Sequence, residues 1–127
     1  MMSDNYTFGQ EIRDEVWEDV RRGGHEFNEY QLVSKDYAIY DENLQILYPA
    51  MGVANEAGEL LGKIKKWKRD GTFDRDAIIA EMGDVLWYLA ALAEDLDVGL
   101  SEVAERNLIK LKDRKDRGVI GGSGDYR

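Results

Sequence analysis

A single proline, Pro49, stands in a chain of 127 residues that is otherwise well supplied with Ala, Leu, Glu and Lys. Turn-dense β folds need proline and turn chemistry at their corners, whereas these four residues are strong helix formers. The chain is therefore expected to be all-α, and apolar spacing places the helices. Ile12, Val16 and Val20, four apart, predict a short amphipathic helix over 9–22, ended by Gly23-Gly24. A second helix over about 26–39 has Phe27, Tyr30, Val33, Tyr37 and Ile39 on its apolar side, and residues 40–46 read as a connection. Pro49 suits a first helical turn and opens a third helix that runs to Asp70, where Gly71 is a natural stop. Asp74 caps a fourth over about 75–97, whose core side is Ile78, Met82, Val85, Leu89, Leu92 and Leu96. Gly99 ends it, Ser101 caps a last helix over about 102–116, and Gly118 closes that one. The expected organisation is an N-terminal extension (1–24), a bundle of about four core helices (25–118) and a glycine-rich tail (119–127).

Length and composition narrow the chemistry. A chain of this size is one domain, long enough to bury a real core. Charged residues reach 34%, above the usual ~25%, so the exterior is heavily charged. The net charge of −9 opposes nucleic acid and anionic lipid as partners. There is no cysteine and one histidine, His25. Thiol nucleophiles, disulfides and zinc fingers are thereby removed, and a His-based triad has almost nothing to draw on. Any bound metal must be a hard one held by carboxylates. No apolar run approaches the ~20 residues of a membrane span, and the acidic N-terminus has no signal-peptide pattern, so a cytoplasmic location is expected.

Two helical segments carry acids three apart within apolar surroundings: Glu56 and Glu59, then Glu81 and Asp84. Residues three apart share a helical face, so each pair can aim two carboxylates at one place. At about 100° per residue, Glu56 falls beside Val53, Leu60 and Trp67, and Glu81 lies near the line of Val85 and Leu92. These acids border the buried side, where lone carboxylates are costly. Two such pairs on facing helices would repel each other unless cations lay between them, and four carboxylates make a natural cage for Mg²⁺ or Mn²⁺. The same spacing equally suits a solvated surface in which Glu59 pairs with Lys63, one turn on.

The segments that carry these acids, NEAGELLGKIKK and AEMGDVLWYLAAL, resemble the MazG-like branch of the all-α nucleoside triphosphate pyrophosphohydrolases. The likeness runs from about Glu29 to the C-terminus and includes YPAMG, NLIKLKDRKDRGV and the terminal GSGDYR. The family pattern E-E-x-x-E…E-x-x-D is met at Glu56, Glu59, Glu81 and Asp84, while Asn55 stands where the first glutamate belongs.

The resemblance implies an enzyme that cleaves nucleoside or deoxynucleoside triphosphates between the α- and β-phosphates, releasing a monophosphate and pyrophosphate. It implies Mg²⁺ (Mn²⁺ as substitute) on Glu56, Glu59, Glu81 and Asp84, with either Glu56 or Glu59 as general base. The matching positions for phosphate contacts are Asn107, Lys110 and Arg114, which are otherwise a solvated stripe. Tyr88, one turn after Asp84, is placed to meet sugar or base or else packs in the core. Trp67, Tyr48 and Trp87 are candidates for an aromatic wall, and Trp67 lies on the side of Glu56. Lys63, Lys65, Lys66, Lys68 and Arg69 either attract phosphates or solvate a helix end. The family's habit implies a homodimer or homotetramer. Alarmone, (p)ppGpp, is an alternative substrate, and a catalytically silent helical oligomerisation module is the alternative from another class.

Overall fold

The structure is a computed structural model that describes residues 14–15 and 26–126. Residues 26–126 form four α-helices and two short 3₁₀ turns with no strand, as the residue usage requires. The helices are α1 (Phe27–Ser34), α2 (Leu47–Asp70), α3 (Arg75–Asp95) and α4 (Leu100–Asp116). Of the segment 9–22, only Asp14 and Glu15 are described, and both are helical; the rest of that expected helix lies outside the described residues.

The helix ends depart from the sequence expectation for identifiable reasons. α1 stops at Ser34 rather than near residue 39, because the Trp87 indole donates to the Ser34 carbonyl (3.1 Å) that a further turn would use. The chain tightens into a 3₁₀ turn at Lys35–Tyr37, leaving Tyr37 and Ile39 exposed rather than on the apolar side. α2 starts two residues before Pro49, which still falls in the first turn where its missing N–H costs nothing, and Pro49 is fully buried. Its end is as expected: Gly71 takes φ 75° and donates to the Trp67 carbonyl at 2.8 Å. Asp74 caps α3 by accepting from the Ala77 N–H at 3.0 Å.

α4 is capped in a way the local sequence does not announce. Gly99, not Ser101, occupies the N-cap, and Ser101 is already helical. The free N–H groups are taken by α1: Leu100 donates to Gln31 Oε1 (2.7 Å) and Ser101 to Asn28 Oδ1 (3.0 Å). A side chain on Gly99 would collide with Asn28, its Cβ falling 2.9 Å from Oδ1. Gln31 also donates to the Val98 carbonyl (3.0 Å), so one buried amide fixes the α3–α4 corner.

The core proper is small: Ala90, Ala93 and Leu100, with Tyr30, Leu86 and Val98 against them. Alanines let α1 approach α3 closely. The expected core side of α3 splits in consequence. Ile78, Val85 and Leu92 are half-buried, whereas Met82, Leu89 and Leu96 remain exposed on faces that none of the described residues covers. Among the described residues, no helix is long and apolar enough to cross a membrane.

Candidate functional site

The α2–α3 hairpin is the most extensive helix contact of the fold, and it brings acids together. Glu56 from α2 and Glu81 and Asp84 from α3 each place one carboxylate oxygen within 4.8 Å of the others. Glu56 is half-buried, the Glu81 side chain is 15% exposed and Asp84 is open. Glu59 is exposed and lies outside this group, since three residues along a helix rotate it about 60° from Glu56. Lys63 does not pair with Glu59; its Nζ crosses to Glu81 Oε1 at 3.4 Å. Three carboxylates against one ammonium leave two negative charges beside the core. The all-oxygen, hard donor set is the kind that suits a divalent hard cation.

An aromatic chain borders these acids. The Tyr88 ring lies against Gly52, where a Cβ would fall 2.2 Å from the ring carbon Cδ1, so the close approach requires glycine. The Tyr88 phenol is held above its ordinary pKa by burial first, then by a hydrogen bond with Tyr48 and by the charges of Glu56 and Asp84. Tyr48 is 6.2 Å from Tyr88 and stacks on Tyr40 at 5.0 Å, ring centre to ring centre. Trp87 meets the Tyr88 ring edge-on at 4.9 Å while its indole holds Ser34, a packing role. Trp67 is eleven residues beyond Glu56, about 16 Å along the helix, packed on Phe73 and covered by the Lys68 ammonium.

The expected phosphate contacts sit on α4. Asn107 and Lys110 line a cavity with Leu96, Val98 and Val103 that begins twelve residues beyond Asp84, about 18 Å of helix. Arg114 is buried and turned toward the tail: its guanidinium donates to the Gly124 and Asp125 carbonyls and to Asp125 Oδ1 at 3.0–3.3 Å. Lys110 reaches the same carboxylate oxygen at 3.2 Å. These two cations, Arg114 foremost, hold the Asp125 carboxyl below its ordinary pKa.

Residues 49–119 match the model of the MazG nucleotide pyrophosphohydrolase domain, more than half of the chain and the stretch holding all three clustered acids. The chain belongs to the MazG family. It is also 50% identical over 109 residues to the Gene 37 protein of Mycobacterium phage L5, covering 77% of this chain and 96% of that relative. No solved structure matches it. MazG membership supports a pyrophosphohydrolase-type enzyme with a nucleotide substrate, and the family is metal-dependent. The acidic group on α2–α3 is where this MazG chain could hold its metal.

Two residues beside these acids, Lys63 and Gly52, make contacts that the sequence reading does not anticipate. Both had a signal. Gly52 is four before Glu56 and Lys63 seven after it, hence on the same helical face. Asp125 belongs to the GSGDYR of the likeness, but its partners depend on how an irregular tail folds back and no local pattern names them.

Proposed function

We propose that this chain is a Mg²⁺-dependent nucleoside triphosphate pyrophosphohydrolase, cleaving NTP or dNTP to the monophosphate and pyrophosphate. The observation that carries the reading is the convergence of Glu56, Glu81 and Asp84 within 4.8 Å on two facing helices of a MazG domain. These three would hold Mg²⁺, with Glu59 at the rim as a further oxygen donor. When bound, the ion supplies charge neutralisation at the α-phosphate and lowers the pKa of a nearby water. Glu56 or Glu59 takes the proton of that water as it attacks the α-phosphorus, and the α–β bridging bond breaks to release pyrophosphate. Tyr88 limits the space beside the acids and offers its hydroxyl to the sugar.

Asn107, Lys110 and Arg114 would contact the outer phosphates; the cavity that Asn107 and Lys110 line opens at Leu96, about 18 Å of helix beyond Asp84. We take the working form to be a homodimer or homotetramer in the cytoplasm, in which α4 of one copy approaches the acids of another. Supporting this, Met51, Leu61, Met82, Leu108 and Ile109 on α2, α3 and α4 are each at least 55% exposed.

The test is pyrophosphate release from a panel of NTPs, dNTPs and ppGpp, with and without Mg²⁺. Metal-dependent release from one or more triphosphates is expected. Release from ppGpp alone would change the substrate, and release from none would overturn the reading.

A further inference from the structure

The entrance to α2 contains a strained residue. Ile46 has φ 67° and ψ −55°, with the Leu47 N–H bonded back to the Gln45 carbonyl at 2.7 Å. This is a γ-turn of the positive-φ kind, an uncommon conformation and a poor one for a β-branched side chain. Such geometry persists only where the surroundings over-determine it. Here one atom does so. Asp95 Oδ2, at the far end of α3, accepts the Ile46 N–H at 2.8 Å and the Tyr40 hydroxyl at 2.9 Å. Ile46 then hands its own carbonyl to Ala50 at 3.0 Å, which starts α2.

Those two hydrogen bonds place the neighbouring rings. Tyr40 stacks on Tyr48, in the first turn of α2, and Tyr48 touches Tyr88 beside Glu56 and Asp84. The chain of contacts therefore runs from Asp95 through Tyr40 and Tyr48 to Tyr88. Asp95 is eleven residues beyond Asp84 on the same helix, about 16 Å away, too far to join the acidic group itself.

We propose that Asp95 is a positioning residue: by pinning Tyr40 and the strained Ile46 turn, it fixes the register of the Tyr48–Tyr88 wall against the acidic group. The proposal rests on the pyrophosphohydrolase reading for its kinetic consequence, though not for its structural one. Because the wall meets the nucleotide and not the reacting bond, loss of Asp95 raises KM more than it lowers kcat.

The experiment uses the full chain and three variants: Asp95→Asn, Asp95→Ala, and Asp95→Ala combined with Ile46→Gly. Glycine accepts φ 67° without a Cβ penalty, so it frees the turn from its need for Asp95. Near-UV circular dichroism reports the tyrosine stack, urea midpoints report the fold, and pyrophosphate release from each common dNTP with Mg²⁺ reports KM and kcat. Asp95→Ala is expected to weaken the aromatic signal, lower the urea midpoint and raise KM by about fivefold or more. Asp95→Asn, which keeps an acceptor oxygen, is expected to recover most of each loss, and the double variant most of the urea midpoint alone, since Tyr40 still lacks its acceptor. An Asp95→Ala protein with an unchanged spectrum and KM overturns the proposal. So does an Asp95→Asn protein as impaired as Asp95→Ala, which would mean that Asp95 acts by its charge. A double variant whose urea midpoint stays as low as that of Asp95→Ala overturns it too, since the strained turn would then not lean on Asp95. If the unaltered chain releases no pyrophosphate, the functional reading fails, while the spectra and urea midpoints still decide the role of Asp95.

Discussion

The two charged ends of the molecule are built in opposite ways. On the α2–α3 face, three carboxylates crowd within 4.8 Å and the cation set against them is Lys63. On the C-terminal half of α4, two cations share one carboxylate, and the more buried cation, Arg114, also takes two carbonyls of the tail. Crowded like charges near a core are tolerated where a further ligand completes them. The cationic cluster, by contrast, is held by its own carboxylate and tail carbonyls, with only the buried Arg114 Nε left without a hydrogen-bond partner among the described residues. The acidic end could therefore hold a cation that the chain itself does not supply. The cationic end must give up Asp125 before it can hold a phosphate.

The largest effect that would break this contrast is chemical. Glu81→Gln should lower Mg²⁺-dependent pyrophosphate release by a hundredfold or more, on the order of what a metal's charge stabilisation supplies. In metal-free buffer its unfolding free energy in urea should stay within about 1 kcal/mol of the unaltered chain, because lost pairing with Lys63 is offset by relieved repulsion. A Glu81→Gln protein that unfolds readily but still turns over would mean the acids are structural. Next in size is Gly52→Ala. Its Cβ would fall 2.2–2.5 Å from three Tyr88 ring atoms, so the ring must move. A loss of about 1–3 kcal/mol in urea unfolding is expected, with a raised KM as Tyr88 leaves the acids.

How much of this was legible in the sequence depends on the range of the interactions. Gly71, Asp74 and Gly118 act within a few residues, and each ends or caps its helix as its chemistry predicts. Glu56, Glu81 and Asp84 were legible too, because helical spacing fixes a face. The match over 49–119 shows the family, the three acids lie together within it, and their role as a site is our proposal. What failed were boundaries decided from elsewhere in the fold. Trp87 ends α1 from 53 residues away, and Gln31 caps α4 from 69 residues away. No local pattern around Ser34 or Ser101 carries that information. Tyr37, Ile39, Met82, Leu89 and Leu96 looked like core because periodicity marks apolar faces and does not say whether the same protomer covers them.

A smaller effect sharpens the acidic side of the contrast. Lys63→Met removes the ammonium 3.4 Å from Glu81, in a pair that is partly solvated, and should cost up to about 1 kcal/mol of metal-free stability. Saturating Mg²⁺ should shrink that deficit, because a ligand bound only by the folded state stabilises it by mass action and would take over the missing charge. Urea midpoints with and without Mg²⁺ measure the difference. An identical deficit in both buffers would mean that Lys63 and the metal do not share the site.

The smallest effect belongs to the cationic end and turns on the sign of one titration. Arg114 and Lys110 hold the Asp125 carboxyl below its ordinary value of 3.8. A group depressed in the folded state contributes stability that is fully present above its unfolded pKa and lost as pH falls through the folded one. Tail docking should therefore be pH-independent above 3.8 and weaken progressively below it, whereas Asp125→Asn should remove that dependence. The Gly124 amide resonance, followed by NMR titration, reads both. Inorganic pyrophosphate added near neutral pH should shift the same resonance if Lys110 and Arg114 exchange the tail for a stronger anion. A resonance that acid moves and pyrophosphate does not would make the pair a structural clasp. The acidic end would then have to draw its phosphate donors from elsewhere, Asn107 or the exposed Lys65 and Lys66 being the nearest in kind.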